Sequence, residues 1–257
     1  MPTFIAFWNY VPDRLWQKKP FADRLNCLSY AVLAASNEAR LKSTSGDAWI
    51  FVSPEYTFAG VEPSVVGVDD RKAAIPASTR DEESLLGLMS SLTRRHEKLL
   101  LAPGTIAVKE HSNVAPQRVR NTSHAYYAGD SVWRFNKASN LGELSRNDVT
   151  HNRFIFKAGL GYDTATVEAR TYGAEICRDA TNGGTLPRQV QRQVVLAAGA
   201  AHGETHDYVA NKATELQIIA DWGNPSVYDY RGAWKARIDP YRKVSTEGQS
   251  LQYYVVN

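Results

Sequence analysis

Short apolar runs alternate with longer amphipathic segments along the first half of the chain. The runs predict buried strands at residues 3–10, 48–53 and 99–108. The amphipathic segments carry apolar side chains at helical spacing and predict helices at residues 21–42 and 82–98. Ser78 and Asp81 form an N-cap signal before the second helix. This alternation of strand and helix predicts an α/β domain.

Extended segments dominate the second half of the chain. The predicted strands are residues 122–128, 132–135, 153–157, 164–177, 217–222, 226–230, 234–238 and 251–256. Residues 194–201 form an apolar run that fits either a strand or a helix. Residues 60–78 are the longest irregular stretch, and they fit either a binding loop or a solvated surface excursion. The sequence contains no repeat and no linker, so we expect one domain over residues 1–257.

Composition narrows the function class. The chain has 257 residues, 43% of them hydrophobic and 22% charged, which is ordinary for a globular protein. The net charge of +3 is too small to indicate binding to nucleic acid or to an anionic membrane. Two distant cysteines cannot form a disulfide framework and fit a reducing compartment. With neither a membrane-length apolar stretch nor a secretory signal in view, we expect a cytoplasmic location.

The most informative stretch is the apolar segment that ends at Cys177 and is followed at once by turn-forming residues. A cysteine at the tip of a strand is held rigidly with one side open, which suits a nucleophile. The alternative is a buried packing residue, because free cysteine is among the most buried residue types. Cys27 lies beside the apolar stripe of the first predicted helix, and we interpret it as a packing residue.

A cysteine nucleophile needs a base and oxyanion donors, and three other residues are candidates. Glu55 follows a buried strand and a proline, and a desolvated carboxyl there suits a general base, or else it caps a turn. Lys137 lies at the end of a predicted strand. It either places a fixed positive charge over a small site or is a solvated surface lysine. Glu143 either orients that lysine or is a surface charge in a loop.

The histidines of the chain provide a weaker signal. None of the six lies beside a motif that would pair it with Cys177, as a cysteine protease requires. His202 and His206 are four positions apart, but their order is not that of the zinc-protease helix, and Gly203 disfavours a helix. We therefore expect a surface loop here and no metal site.

The set Pro54-Glu55-Tyr56, Lys137 and Glu175-Ile-Cys177-Arg-Asp179 resembles the nitrilase superfamily of carbon–nitrogen hydrolases. That family carries a Glu-Lys-Cys triad in this chain order, each member at the end of a different strand. True nitrilases place tryptophan and glutamate after the cysteine, whereas Arg178 and Asp179 stand here. The resemblance therefore favours the amidase-like branch, with Glu143 matching the second glutamate of the family.

The resemblance implies a four-layer α-β-β-α sandwich, with two mixed sheets face to face and helices outside. It also implies hydrolysis of a small-molecule amide or carbamoyl substrate through a cysteine thioester, without metal or organic cofactor. Tyr56, Arg178, Trp222 and Tyr228 are expected to contact the substrate. A homodimer or larger homo-oligomer is expected, because family members associate through a helical face. Two alternatives stay open: transfer of the acyl group to an amine or thiol, and a non-catalytic binding protein of the same fold.

Overall fold

Two mixed β-sheets pack face to face, and two long helices cover the outer side of the larger sheet. The computed structural model describes residues 2–10, 16, 19–42, 47–58, 60–61, 74–110, 116–139, 154–181, 183–198, 206, 208–222, 224–233, 235–246 and 249–257. The helices whose bounds lie within the described residues are α1 (Phe21–Lys42) and α2 (Thr79–Arg95). The strands are β1 (Thr3–Tyr10), β2 (Trp49–Val52), β3 (Gly60–Val61), β4 (Ala74–Ile75), β5 (Leu99–Ala102), β6 (Thr105–Lys109), β7 (Gln117–Tyr127), β8 (Asp130–Asn136), β9 (Phe154–Phe156), β10 (Tyr162–Val167), β11 (Arg170–Ile176), β12 (Val190–Leu196), β13 (Ala213–Ala220), β14 (Ser226–Asp229), β15 (Ala236–Ile238), β16 (Arg242–Thr246) and β17 (Gln249–Val256).

Both sheets combine parallel central strands with antiparallel neighbours, and β9 of the larger sheet pairs parallel with β7. The larger sheet has the order β16-β17-β1-β2-β5-β7-β6, and β8 and β9 also pair with β7. Its strands β1, β2 and β5 are parallel. The smaller sheet has the order β10-β11-β12-β13-β14-β15, with β11, β12 and β13 parallel. The predicted α/β sandwich of two mixed sheets is therefore confirmed.

Alternating side chains of the larger sheet separate two cores, because successive residues of a strand point to opposite faces. In β1, Phe4 and Trp8 pack on the helix side, whereas Ile5 and Phe7 pack between the sheets. The inter-sheet core also contains Tyr172 and other residues of the smaller sheet. Each fully buried side chain of this size contributes about 1.5–3 kcal/mol, so this core holds the two sheets in a fixed relation.

The helices begin and end where local signals place them. Helix α1 has the predicted bounds, whereas α2 begins three residues earlier than predicted, directly after Ser78, and ends at Arg95, three residues before the predicted end. The backbone N–H of Asp81 donates to Ser78 Oγ at 3.1 Å, and the backbone N–H of Ser78 donates to Asp81 Oδ2 at 3.0 Å. This capping box confirms the predicted N-cap.

The outer side of the smaller sheet carries no α-helix in the part of the chain that the structure describes. Ala180, in the short 3₁₀ turn Cys177–Ala180, and Val209 pack there against Val195 and Ile219 of the sheet. Helices therefore form the predicted outer layer on the larger sheet, and within the described residues the 3₁₀ turn and the segment around Val209 cover the smaller one. None of the helices described is long and apolar enough to span a bilayer.

Two predicted strands are hairpins or bends in the structure. Residues 164–177 form β10 and β11, which reverse at Glu168 and Ala169 with positive φ of 46° and 60°. Residues 99–108 are divided between β5 and β6 at Gly104, whose φ is 83°. A Cβ on Gly104 would lie 2.1 Å from the carbonyl oxygen of Pro54, so this bend requires glycine.

Four further segments extend the comparison with the sequence. The ambiguous run at residues 194–201 contributes its first residues to strand β12. Strand β16 was not predicted, because it is polar and exposed along its whole length. The C-terminal strand β17 pairs with β1 and β16 of the same chain. Within residues 60–78, β3 pairs with β4, and residues 62–73 lie outside the described ranges.

Candidate active site

Three side chains that the sequence singles out meet at one end of the sandwich. Glu55 follows β2, Lys137 directly follows β8, and Cys177 directly follows β11. Lys137 Nζ donates to Glu55 Oε1 at 2.7 Å, and the thiol of Cys177 also hydrogen-bonds to the Glu55 carboxylate. Glu55 and Lys137 are 1% and 2% exposed, and Cys177 is half-buried. A base, a fixed cation and a sulfur therefore share one buried cluster.

The ion pair at the centre of this cluster is supported by a further polar group. Asn121, on β7, donates its side-chain N–H to Glu55 Oε1 at 2.8 Å. The ring of Tyr56 lies with its centroid 5.9 Å from Lys137 Nζ, within the range of a cation–π contact. A buried ion pair repays its desolvation only when such extra contacts are present, and the pair is costly to break from one side.

The backbone at Cys177 is strained. Its φ is 44°, in the left-handed region that a non-glycine residue enters at a cost of about 1–2 kcal/mol. The residue lies where the extended strand β11 gives way to the 3₁₀ turn Cys177–Ala180. Strain of this kind persists where the surrounding structure fixes it, and it is frequent at functional sites. The local chain therefore presents the thiol at a sharp corner.

The surroundings of Cys177 keep its sulfur protonated at neutral pH. Burial raises the pKa of the thiol to about 12, with the charge and hydrogen bond of Glu55 acting in the same direction. The ammonium of Lys137 and the backbone N–H of Ala198 act to lower that pKa. The resting state is therefore a thiol beside a carboxylate that can accept its proton, with a cation ready to stabilise the negative charge that follows.

The smaller sheet holds the backbone of Glu55. The N–H of Glu55 donates to the carbonyl of Ala197, at the end of β12, at 3.2 Å. The indole N–H of Trp222 donates to the carbonyl of Glu55 at 3.0 Å. Asp221 in turn accepts from the backbone N–H of Trp222 at 2.8 Å and lies 3.2 Å from His206 Nε2. The ends of β12 and β13 therefore fix a residue that the larger sheet carries.

His206 corrects one expectation from the sequence. We expected residues 202–206 to be a surface loop, but His206 is 1% exposed and paired with the buried Asp221. The spacing of the histidines gave no sign of this contact, because its partner follows a strand further along the chain. His202 lies outside the described residues. Within the described ranges, no three His, Cys, Asp or Glu side chains converge as a metal site would require.

The remaining predicted site residues differ in how deeply they are buried, and one of them lies outside the described residues. Tyr56 is buried beside Lys137, and Arg178 is exposed in the turn after Cys177. Trp222 is half-buried, and Tyr228 is buried with Lys235 Nζ 4.1 Å from its ring centroid. Glu143 lies outside the described residues.

Three groups of the cluster were not found from the sequence: the amide of Asn121, the backbone N–H of Ala198 and the carboxylate of Asp179. Asn121 is a polar residue within a strand, and such a residue gives no signal of its partner. The Ala198 contact is made by the backbone, which any residue could supply. Asp179 was noted only as part of the segment after Cys177, and its contacts require the fold to be known.

Comparisons with known proteins identify the fold. No family model matches the chain, and no curated protein matches it in sequence. Among solved structures, the amidase from Nesterenkonia sp. AN1, as a double mutant in complex with acrylamide, superposes with a TM-score of 0.64. It is 12% identical, and the match covers 99% of this chain and 90% of the amidase. A further structure of this amidase describes it as a member of the nitrilase superfamily.

Two other solved structures have the same fold. A CN-hydrolase superfamily protein from Xanthomonas campestris, with an arsenic adduct in its active site, has a TM-score of 0.56 and 13% identity. That match covers 98% of this chain and 90% of the other. Glutamine-dependent NAD+ synthetase from Acinetobacter baumannii has a TM-score of 0.61 and 14% identity, over 100% of this chain and 48% of the synthetase. The chain therefore has the fold of the nitrilase superfamily of carbon–nitrogen hydrolases.

Proposed function

We propose that this protein is an amidase-like carbon–nitrogen hydrolase of the nitrilase superfamily, with Glu55, Lys137 and Cys177 as its catalytic residues. The observation that carries the proposal is the buried Glu55 carboxylate, which contacts both the Lys137 ammonium and the Cys177 thiol. These are the parts that cysteine-based acyl transfer needs: a nucleophile, a base that can accept its proton, and a cation near the developing charge.

The first half of the reaction forms a thioester. Glu55 takes the proton of the Cys177 thiol while the sulfur bonds to the amide carbonyl carbon, and the carbonyl oxygen becomes an oxyanion. Lys137 and the backbone N–H of Arg178 hold that oxyanion, each such donor being worth about 3 kcal/mol of barrier height. The carbon–nitrogen bond then breaks, the nitrogen takes the proton from Glu55, and ammonia or an amine leaves.

The second half returns the enzyme to its starting state. Glu55 takes a proton from water while the water oxygen bonds to the thioester carbonyl carbon. The same donors hold the second oxyanion. The carbon–sulfur bond then breaks, the sulfur regains its proton from Glu55, and the carboxylic acid leaves. One buried carboxylate therefore moves a proton in both directions, which requires that it stay close to the sulfur.

Small amides are the substrates we assign to the site. The Nesterenkonia amidase was solved with acrylamide, and a variant of it carries the acetamide moiety of fluoroacetamide on its active-site cysteine. We assign substrate contact to Tyr56, beside Lys137, and to Arg178, in the turn after the nucleophile. Glu143 takes the role of orienting Lys137 that the family resemblance implies.

The two cysteines allow a matched test. Purified protein and its Cys177→Ala and Cys27→Ala variants are incubated with acrylamide and a panel of small amides, and released ammonia is measured. We expect the Cys27→Ala variant to keep the parental rate, because Cys27 packs at the edge of the helix-side core. The Cys177→Ala variant should release no ammonia, and turnover retained in that variant would overturn the proposal. Adding hydroxylamine to the same reactions separates hydrolysis from acyl transfer through the products formed.

A further inference from the structure

The carboxylate of Asp179 joins the turn that carries the nucleophile to the segment that carries the lysine. Asp179 is 4% exposed and lies two residues after Cys177. Its Oδ2 accepts from the backbone N–H of Ala138 at 2.8 Å, and its Oδ1 accepts from the backbone N–H of Ser139 at 2.8 Å. These donors are the two residues that directly follow Lys137. One carboxylate thus bridges two of the three catalytic strand ends.

The backbone of Lys137 itself is held by two further contacts. Its N–H donates to the carbonyl of Asn121 at 2.9 Å, and its carbonyl accepts from the N–H of Gly159 at 2.9 Å. Asn121 also donates its side chain to Glu55. These contacts position the lysine relative to β7 and thereby to the base. The Asp179 contacts tie the segment after Lys137 directly to the turn that carries Cys177.

A glycine allows this bridge to close. Gly161 has a φ of 80°, and a Cβ on it would lie 2.9 Å from Asp179 Oδ2 and 3.0 Å from the Cβ of Ala138. Any side chain at residue 161 would therefore press on both ends of the bridge. The backbone of Gly161 is in turn fixed by its N–H, which donates to the carbonyl of Asn136 at 3.0 Å.

We propose that Asp179 is a positioning residue that sets the distance between the Lys137 ammonium and the Cys177 sulfur. The Lys137 side chain is buried and its ammonium is held by Glu55, so a shift of its backbone anchor would move the ammonium relative to both Glu55 and the reacting atoms. A displacement of about 1 Å in such a group can cost a hundredfold in rate. The role in turnover rests on the proposed function, but the geometric role does not.

The direction in which the pKa of the Cys177 thiol changes on substitution of Asp179 separates a positioning role from a purely electrostatic one. Glu55, Lys137 and the N–H of Ala198 are the groups that act on the Cys177 sulfur besides its burial. If Asp179→Asn only removed a negative charge, the thiolate would become easier to form. If the substitution displaces the Lys137 ammonium, the thiolate loses its stabilising cation and becomes harder to form.

The experiment compares Asp179→Asn with Asp163→Asn. Asp163 also accepts two backbone N–H groups through its two oxygens, from Arg134 of β8 and from Thr164, but it touches neither the nucleophile nor the lysine segment. Both changes are made in a Cys27→Ala, Glu55→Gln background, so that one thiol titrates and its pKa falls into a measurable range. The ultraviolet absorbance of the thiolate is followed against pH. The single variants are assayed for ammonia release from acrylamide.

We expect Asp179→Asn to raise the thiolate midpoint by about one pH unit or more and to lower kcat at least about tenfold with KM within about threefold. Asp163→Asn should change neither quantity. A thiolate midpoint that stays constant or falls in folded Asp179→Asn overturns the proposal. If that variant does not fold, Asp179→Glu replaces it, because it keeps the charge and both oxygens but moves them by one methylene. Should even the parent release no ammonia, the proposed function fails while the titration still decides the geometric role.

Discussion

Replacing Glu55 by glutamine should abolish turnover and yet make the Cys177 thiolate easier to form. In the parent, burial and Glu55 raise the pKa of Cys177, whereas Lys137 and the Ala198 N–H act to lower it. Glutamine removes the negative charge and leaves both stabilising groups in place. It also leaves no base to accept the thiol proton or to activate water. Catalytic rate and thiol acidity should therefore change in opposite directions.

The size of the change follows from the contact between the two groups. Two like charges about 4 Å apart interact by about 4 kcal/mol at an effective dielectric constant of about 20. Because 1.36 kcal/mol corresponds to about one pH unit, loss of this repulsion lowers the thiol pKa by about three units. The pKa of about 12 in the parent should therefore fall to about 9 in Glu55→Gln. The Lys137→Met variant should shift the pKa in the opposite direction.

The assay is a pH titration of thiolate absorbance in the Cys27→Ala background, with Cys177→Ser as the blank. Glu55→Gln should show a transition with its midpoint at about pH 9, and the parent and Lys137→Met should show none below about pH 10. Each variant is first checked for folding by circular dichroism, since leaving one member of a buried ion pair alone costs about 3 kcal/mol or more. A thiol pKa in folded Glu55→Gln equal to or above that of the parent would refute the electrostatic reasoning.

Three further predictions concern the surrounding structure. The variant Glu82→Gln should lose about 3 kcal/mol of unfolding free energy at pH 7, because Glu82 pairs with the buried Arg120. Burial raises the pKa of Glu82, but the hydrogen bonds with His124 and Arg120 outweigh it and lower the pKa to about 2. The difference between parent and variant in the free energy of unfolding by urea should therefore shrink as pH falls from about 4.5 towards 2, and a constant difference would contradict this. The variant Ser78→Ala should lose about 1 kcal/mol in the same assay at pH 7, and no loss would show that the cap contributes nothing. The variant Trp222→Phe removes the hydrogen bond to the Glu55 carbonyl. It should lower kcat while the thermal midpoint stays close to that of the parent, and an unchanged kcat would exclude a role for that contact.

Regular local patterns allowed part of the fold to be predicted from the sequence. Helix α1 and strand β1 have the predicted bounds, because residues 21–42 contain neither glycine nor proline and carry apolar side chains at helical spacing, and residues 3–10 form a short aromatic run. The hairpin between β10 and β11 was missed because Glu168 and Ala169 turn with positive φ, and neither residue type is typical of such a turn. The antiparallel pairing of β10 with β11 shows that this segment is two strands, and its sequence does not.

In the candidate site, too, some features could be predicted from the sequence and others could not. Glu55, Lys137 and Cys177 could be selected because each follows the end of a predicted strand that contains large apolar residues, where a charged or reactive group is conspicuous. The contacts that hold them could not be predicted, because they join residues distant along the chain. Trp222 reaches the Glu55 carbonyl across 167 positions, and Asp179 reaches the backbone after Lys137 across about 40. Such pairs become visible only when both sheets are in place.

The central claim is that the Cys177 sulfur forms a covalent acyl bond with an amide substrate, and trapping that bond tests it most directly. Protein turning over acrylamide is quenched in acid and digested, and the peptides that contain Cys177 and Cys27 are analysed by mass spectrometry. The account predicts an acyl adduct on the Cys177 peptide alone, which disappears in Glu55→Gln. Steady turnover without any acyl adduct at Cys177, or an acyl adduct at Cys27 instead, would contradict the account.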